Sequence, residues 1–134
     1  MIIDTSALIA VLKKEPEEEE FLFAIGNAEV LRVSAATYFE AGLVVDRNND
    51  PGLSGNLDEL LEEAAVIIEP VTEAQAGLAR QAYRDLGRGS GHPARLTFGD
   101  CFSYALAKAA GEPPLFKGDD FGRTDVAPAL PPAG

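Results

Sequence analysis

The chain has 134 residues, 22 acidic and 11 basic side chains, a formal charge of −11 at pH 7 and a single cysteine. That length predicts one domain with a real core, the lone Cys101 excludes an internal disulfide framework, and no apolar run is long enough to span a bilayer. The charge excludes nucleic-acid binding through the average field of the surface, so any such role must be local or use bound cations.

Met1–Ile3 is the first predicted strand, and residues 7–12 and 17–27 follow as short helices separated near Pro16. The opening stretch superficially resembles a secretory leader but is not expected to be one. No basic segment precedes it, an acid interrupts its apolar run and no small-residue cleavage site follows, so a cytoplasmic chain is expected. "EVLRV" (29–33) is a second strand, and "SAATYFEAGLVVDRNN" is a helix with Ser34 as N-cap and "NNDPG" as its stop. Residues 53–64 form an amphipathic helix, and "AVIIEP" is a β-branched run closed by proline, hence a third strand. The acidic runs "EPEEEE" and "LDELLEEA" read as solvated helix faces.

Thr72 caps the helix "EAQAGLARQAYRDLG", "GRGSGHPARLTFG" is a loop, and "DCFSYALAKAAG" is a helix ending on glycine. "PPLFKG" supplies a fourth strand and "DVAPAL" a possible fifth, before a frayed tail at residues 131–134. Strands alternating with helices predict a single α/β domain over residues 1–130. Its central sheet would be mostly parallel, with four or five strands, and its sites would gather beyond the strands' carboxyl ends.

Acids collect where that rule places a site. Asp4 ends the first strand, Asp100 opens the "DCFSYALAKAAG" helix, Asp119 and Asp120 follow the fourth strand, and Glu40 sits inside an apolar helix. The neighbours Ala36, Leu43 and Val44 predict a largely buried face for Glu40, with no lysine or arginine three or four residues away to pair with it. Unpaired carboxylates near a core are costly. Several together call for a cation, and hard Mg²⁺ or Mn²⁺ takes oxygen ligands and binds phosphates. Each acid also has a plain reading: Asp4 before Thr5 and Ser6 is a helix cap, Thr97-Phe98-Gly99-Asp100 matches a capping box, and Asp119–Asp120 suits a turn.

Other reactive side chains add little. His92, the only histidine, is expected as a solvated loop residue. Cys101 lies near a helix start that would lower its thiol pKa, but no histidine partners it and core packing accounts for it. Arg80, Arg84 and Arg88 recur every four residues, predicting one basic helix face. Arg95 in the next loop, Lys117 beside the acids and Lys13–Lys14 complete a candidate rim for a polyanion.

"IDTSAL", "YFEAGLV" and "GDCFSYALAKAAGEPPLFKGDDFGRTD" together resemble a PIN-domain ribonuclease, and more closely the VapC toxins of bacterial VapBC toxin–antitoxin pairs. The resemblance covers essentially the whole chain. It implies a three-layer α/β/α domain that cuts RNA with Mg²⁺ or Mn²⁺. The family's acids fall on Asp4, Glu40, Asp100 and Asp120, with Asp119 an additional acid that a one-residue shift would exchange for Asp120. Its small hydroxyl residue falls on Thr5, with Ser6 alongside. It further implies metal binding by Asp4, Asp100 and Asp120, and activation of a water by Glu40. RNA contacts would come from Lys117, Arg84, Arg88 and Arg95. The implied partners are a second copy of the chain and a VapB-type antitoxin whose C-terminal segment fills the active-site groove.

Two readings compete. A Mg²⁺-binding receiver-like signalling domain shares strand-end acids and a lysine after a late strand, yet "AVIIEP" offers glutamate and proline where the phospho-accepting aspartate should end a central strand. The other is a non-catalytic protein-binding module whose acids only cap helices. A phosphatase of the haloacid-dehalogenase type would need a D-x-D after the first strand, and none is present.

Overall fold

A computed structural model describes residues 1–131. The expected tail at 131–134 therefore lies, beyond Pro131, outside the described residues. Four short strands form one wholly parallel sheet: β1 (Ile2–Ile3), β2 (Arg32–Ser34), β3 (Ile67–Glu69) and β4 (Pro114–Leu115), in the order β3-β2-β1-β4. Parallel neighbours need crossovers, and helices supply them. They are α1 (Thr5–Leu12) and α2 (Glu18–Asn27), then α3 (Ala35–Asp46) and α4 (Pro51–Glu63), then α5 (Glu73–Leu86) and α6 (Phe98–Ala110).

Alternation along β1 assigns the faces. Ile2 packs on Leu106 and Ala107 of α6, whereas Ile3 faces the larger core shared with Ala7, Leu8, Val33, Ala41, Leu57 and Leu115. The sheet thus lies between α1–α4 and α5–α6, the expected three layers. β3 is an edge strand, which leaves Ile67 and Ile68 partly exposed.

The order of connection positions the site. β1, β2 and β3 step outward in one direction, and the chain then returns to place β4 on the other side of β1. Where such a reversal occurs, the loops leaving the two adjacent strands diverge to opposite faces and open a crevice at their carboxyl ends. Asp4 leaves β1 at that point, and the segment Phe116–Asp120 leaves β4 there.

Four expectations are corrected. "NNDPG" does stop α3, with Asn49 at φ 51°, but it also starts α4 at Pro51 rather than Leu53. Asp50 caps that helix through Gly52 and Leu53 N–H, and proline suits a first-turn position where its missing donor costs nothing. "DVAPAL" forms no fifth strand. Ala129 N–H donates one bond to Pro114 O at 2.9 Å, and Pro128 has no N–H to continue the ladder.

The arginine stripe is shortened as well. α5 ends at Leu86 and Gly87 is extended, so Arg88 leaves the helix face shared by Arg80 and Arg84. Gly87 is required there because a Cβ would strike the Tyr83 carbonyl oxygen. Finally, the helix carrying Glu40 has its buried seam along Thr37, Ala41 and Val45, leaving Leu43 exposed and Ala36 and Val44 half-buried.

Candidate active site

Asp4 is 3 % exposed, directly after β1, and its two carboxylate oxygens are used differently. Oδ2 accepts Ser6 N–H (3.0 Å) and Ser6 Oγ (2.7 Å), capping α1, while Oδ1 accepts Ser103 Oγ at 2.6 Å. Capping and pit-lining are therefore one arrangement. Burial pushes the Asp4 carboxyl up to about 6, the hydroxyl and backbone donors pull it down, and the charge of Asp100 adds to the rise.

Asp100 sits in the first turn of α6 within the expected capping box. Its Oδ2 accepts Thr97 N–H at 2.9 Å, and Thr97 Oγ1 accepts Asp100 N–H at 3.2 Å. The same carboxylate reaches Asp120, whose pKa is raised, first by partial desolvation and then by the hydrogen bond and charge of Asp100. Two carboxyls can share a hydrogen bond only if one holds a proton, or they can share a cation instead. Phe121, buried in a short 3-10 turn (Phe121–Arg123), packs on Phe116 and pins the loop that carries Asp120. Asp119 and Asp120 are both exposed, and Asp119 only adds negative charge beside Asp120.

Glu40 joins from α3. Its Oε1 accepts Thr5 Oγ1 at 2.5 Å, and its carboxylate lies against Gly99, where any Cβ would overlap it. Thr5 follows Asp4 and Gly99 precedes Asp100, so these contacts fix Glu40 beside both acids. Ser6 Oγ also accepts Lys117 N–H at 2.9 Å, tying the segment after β4 to Asp4.

The basic candidates divide. Lys117 Nζ turns away to Glu15 (3.0 Å) and Glu17 (3.2 Å). Arg84, Arg88 and Arg95 are exposed, and only Arg88 lies close enough for its charge to lower Asp120. His92 is half-buried, and its Nδ1 accepts Ala94 N–H at 3.0 Å, which orders the loop.

Cys101 is buried behind the pit, and desolvation with the Asp100 charge pushes its thiol up to about 11, opposite to the helix-start expectation. Because thiolate is the reactive form, iodoacetamide at pH 8 should alkylate native protein about 100-fold more slowly than denatured protein. Comparable rates by mass spectrometry would refute that burial.

None of Asp4, Glu40, Asp100, Asp119 or Asp120 is ion-paired among the described residues. Nor are three His, Cys, Asp or Glu side chains, among those residues, already drawn in around one point. The acids instead approach in pairs, Asp4 with Asp100 and Asp100 with Asp120. An oxygen-only donor set without a counter-ion, buried at Asp4, half-buried at Glu40 and Asp100 and open to solvent at Asp120, fits a hard divalent cation that keeps some of its waters. Three participants were not among the sequence candidates: Ser103, Thr37 behind it, and Gly99.

The sequence model of the PIN domain matches residues 1–127. Over 130 residues the chain is 58 % identical to Ribonuclease VapC28 of Mycobacterium tuberculosis, covering 97 % of this chain and 98 % of that protein. Over 133 residues it is 49 % identical to Ribonuclease VapC30 of the same organism, covering 98 % and 100 %. Among solved structures, M. tuberculosis VapC20, described as a sarcin–ricin loop cleaving toxin, superposes with a TM-score of 0.73 at 19 % identity, covering 94 % and 95 %. A toxin–antitoxin complex from Klebsiella pneumoniae matches with a TM-score of 0.72 at 14 % identity, covering 96 % and 97 %.

Proposed function

The chain belongs to the PIN-domain family, among the VapC ribonucleases, and from that premise we propose that it hydrolyses RNA phosphodiester bonds with Mg²⁺, or Mn²⁺ in its place, bound at the acidic pit. One observation carries the reading: at the β1–β4 crevice Asp4 neighbours Asp100 and Asp100 neighbours Asp120, Glu40 is held by Thr5 and against Gly99, and none of the four is ion-paired among the described residues. When bound, the cation lowers the pKa of water and stabilises the charge gathering on the phosphoryl oxygens.

The protein's own contributions follow from position. Asp4 and Asp100 hold the cation, with Asp4 kept in a single orientation by its three donors. Asp120 completes the oxygen set from the opposite wall, with Asp119 next to it. Glu40, fixed by Thr5 and by the absence of a side chain at Gly99, orients the attacking water and takes its proton. Arg88 lies nearest the acids and meets a flanking phosphate, and Arg84 and Arg95 extend that track. Lys117 contributes less while Glu15 and Glu17 hold it.

The chain acts as the toxin of a pair in the cytoplasm. A VapB-type antitoxin places a cationic side chain, best an arginine, over the uncompensated acids, and the chain works as a homodimer. Among the described residues no helix is long and apolar enough to cross a membrane. VapC20 is described as cleaving the sarcin–ricin loop, so a ribosomal RNA hairpin is a target class worth including.

The test is cleavage of a labelled total-RNA pool with Mg²⁺, Mn²⁺ or EDTA, beside an Asp4→Asn/Asp100→Asn double variant. Discrete fragments that need the cation and vanish in the variant are expected. No cleavage, together with no cation-induced rise in melting temperature, would leave the non-catalytic binding module.

A further inference from the structure

α3 and α6 each present an acid and a hydroxyl three residues apart, hence on one helix face: Thr37 with Glu40, and Asp100 with Ser103. The two hydroxyls meet. Thr37 Oγ1 and Ser103 Oγ are 3.3 Å apart, and Ser103 Oγ is 2.6 Å from Asp4 Oδ1. Ser103 is 0 % and Thr37 1 % exposed, so neither contact is shared with solvent.

Proton counting fixes the direction. Ser103 has one hydroxyl proton, and an ionised Asp4 can only accept, so that proton lies on the Ser103–Asp4 line. The remaining contact then requires Thr37 to donate to Ser103. A short hydroxyl–carboxylate bond is charge-assisted, and the longer contact behind it is the weaker one. Resting on the cation-binding reading above, we propose that Ser103, oriented by Thr37, is a positioning residue that holds Asp4 Oδ2 toward its α1 cap and keeps the carboxylate plane set for a divalent cation. A buried alanine at position 103 would fill the core equally well, but it would let the Asp4 carboxylate turn about its Cβ–Cγ bond.

Outer hydrogen bonds to ligating groups are commonly worth 10- to 100-fold in metal affinity. The experiment is Mn²⁺ titration of cation-stripped protein, read as the loss of free-Mn²⁺ electron paramagnetic resonance signal, with thermal melts of the stripped proteins alongside. Ser103→Ala should weaken Mn²⁺ binding about tenfold. Thr37→Val, which keeps the volume and removes the donor, should weaken it about threefold, and Thr37→Ser should restore it. The double variant Ser103→Ala/Thr37→Val should be no weaker than Ser103→Ala, because both act through one bond.

A role confined to packing predicts lowered melting temperatures with unchanged Mn²⁺ affinity. Affinity within twofold of the parent in folded Ser103→Ala overturns the proposal. Should that variant not fold, an unchanged affinity in Thr37→Val overturns it instead. Absence of Mn²⁺ binding by the parent chain would remove the cation reading and this proposal with it, an outcome distinct from either.

Discussion

Asp4→Asn is expected to abolish RNA cleavage and yet to melt at a higher temperature than the parent when both are free of divalent cations. Loss of a charged ligand forfeits the several kcal/mol of charge stabilisation that a cation supplies, so activity should fall by roughly 10³-fold or more. The stability gain has a separate origin. The Asp4 carboxyl is held at about 6, against the ordinary aspartate value of 3.8, mainly because it is buried. A raised carboxyl binds more protons folded than unfolded, so stability falls as pH rises between those two values, and the full cost is present above the higher one.

At pH 7.5 that cost is about 3 kcal/mol. Asparagine can retain the cap, its oxygen accepting Ser6 N–H and Ser6 Oγ–H, while its amide donates to Ser103 Oγ; that bond is reversed, and the Ser103 proton turns to Thr37 Oγ1. Several degrees of added stability should result at pH 7.5, shrinking by about half at pH 5, where the parent's Asp4 is mostly protonated. Differential scanning fluorimetry in EDTA at both pH values decides the matter. A lower melting temperature for Asp4→Asn at pH 7.5 would mean that Asp4 is not a strained buried charge.

Gly99→Ala should separate folding from catalysis in the other direction. A methyl group there would overlap the Glu40 carboxylate, which is the mobile end of a side chain and can swing away. The fold loses little, and alanine within a helix can gain up to about 1 kcal/mol over glycine. Glu40, however, leaves its place beside Thr5, and displacement of a reacting group by about an ångström costs on the order of 100-fold in rate. The expected result is a melting temperature within a few degrees of the parent, RNA affinity little changed, and kcat reduced about 100-fold at saturating Mg²⁺. Parental kcat would show that Glu40 does not handle the attacking water.

Most of the architecture could be read from the sequence because strand and helix signals alternate cleanly and five of the six helices open on a side-chain cap. Asp4, Glu40, Asp100 and Asp120 were legible as candidates because each is an acid after a strand, at a helix start or, for Glu40, on an apolar helix with no lysine or arginine three or four residues away. Local patterns failed where a tertiary contact decides. Lys117 reads as a free cation beside the acids until Glu15 and Glu17, a hundred residues earlier in the chain, fold against it. Arg88 reads as the third member of a stripe until Gly87 breaks the helix.

Thr37 and Ser103 were hidden because a hydroxyl in a helix interior has many ordinary uses, and only the packing of α3 on α6 brings these two together. A spacing signal was nonetheless present, since each hydroxyl lies three residues from a candidate acid. Gly99 was read only as part of a capping sequence, since nothing local says that Glu40 will need its missing side chain.

The loop between α5 and α6 is clamped where it leaves and where it returns. Arg88 N–H donates to Leu96 O at 3.0 Å, and Leu96 N–H donates to Leu86 O at 2.9 Å. Leu96 is fully buried, and Thr97 begins the cap that holds Asp100. The outer turn, residues 89–91, is exposed, whereas Ala94 is fully buried in the cluster that holds Cys101 and Phe121: that tip can change in sequence, and even in length, at small entropic cost without shifting Asp100. Variation confined to that tip would change the surface the protein presents while leaving its acids where they are.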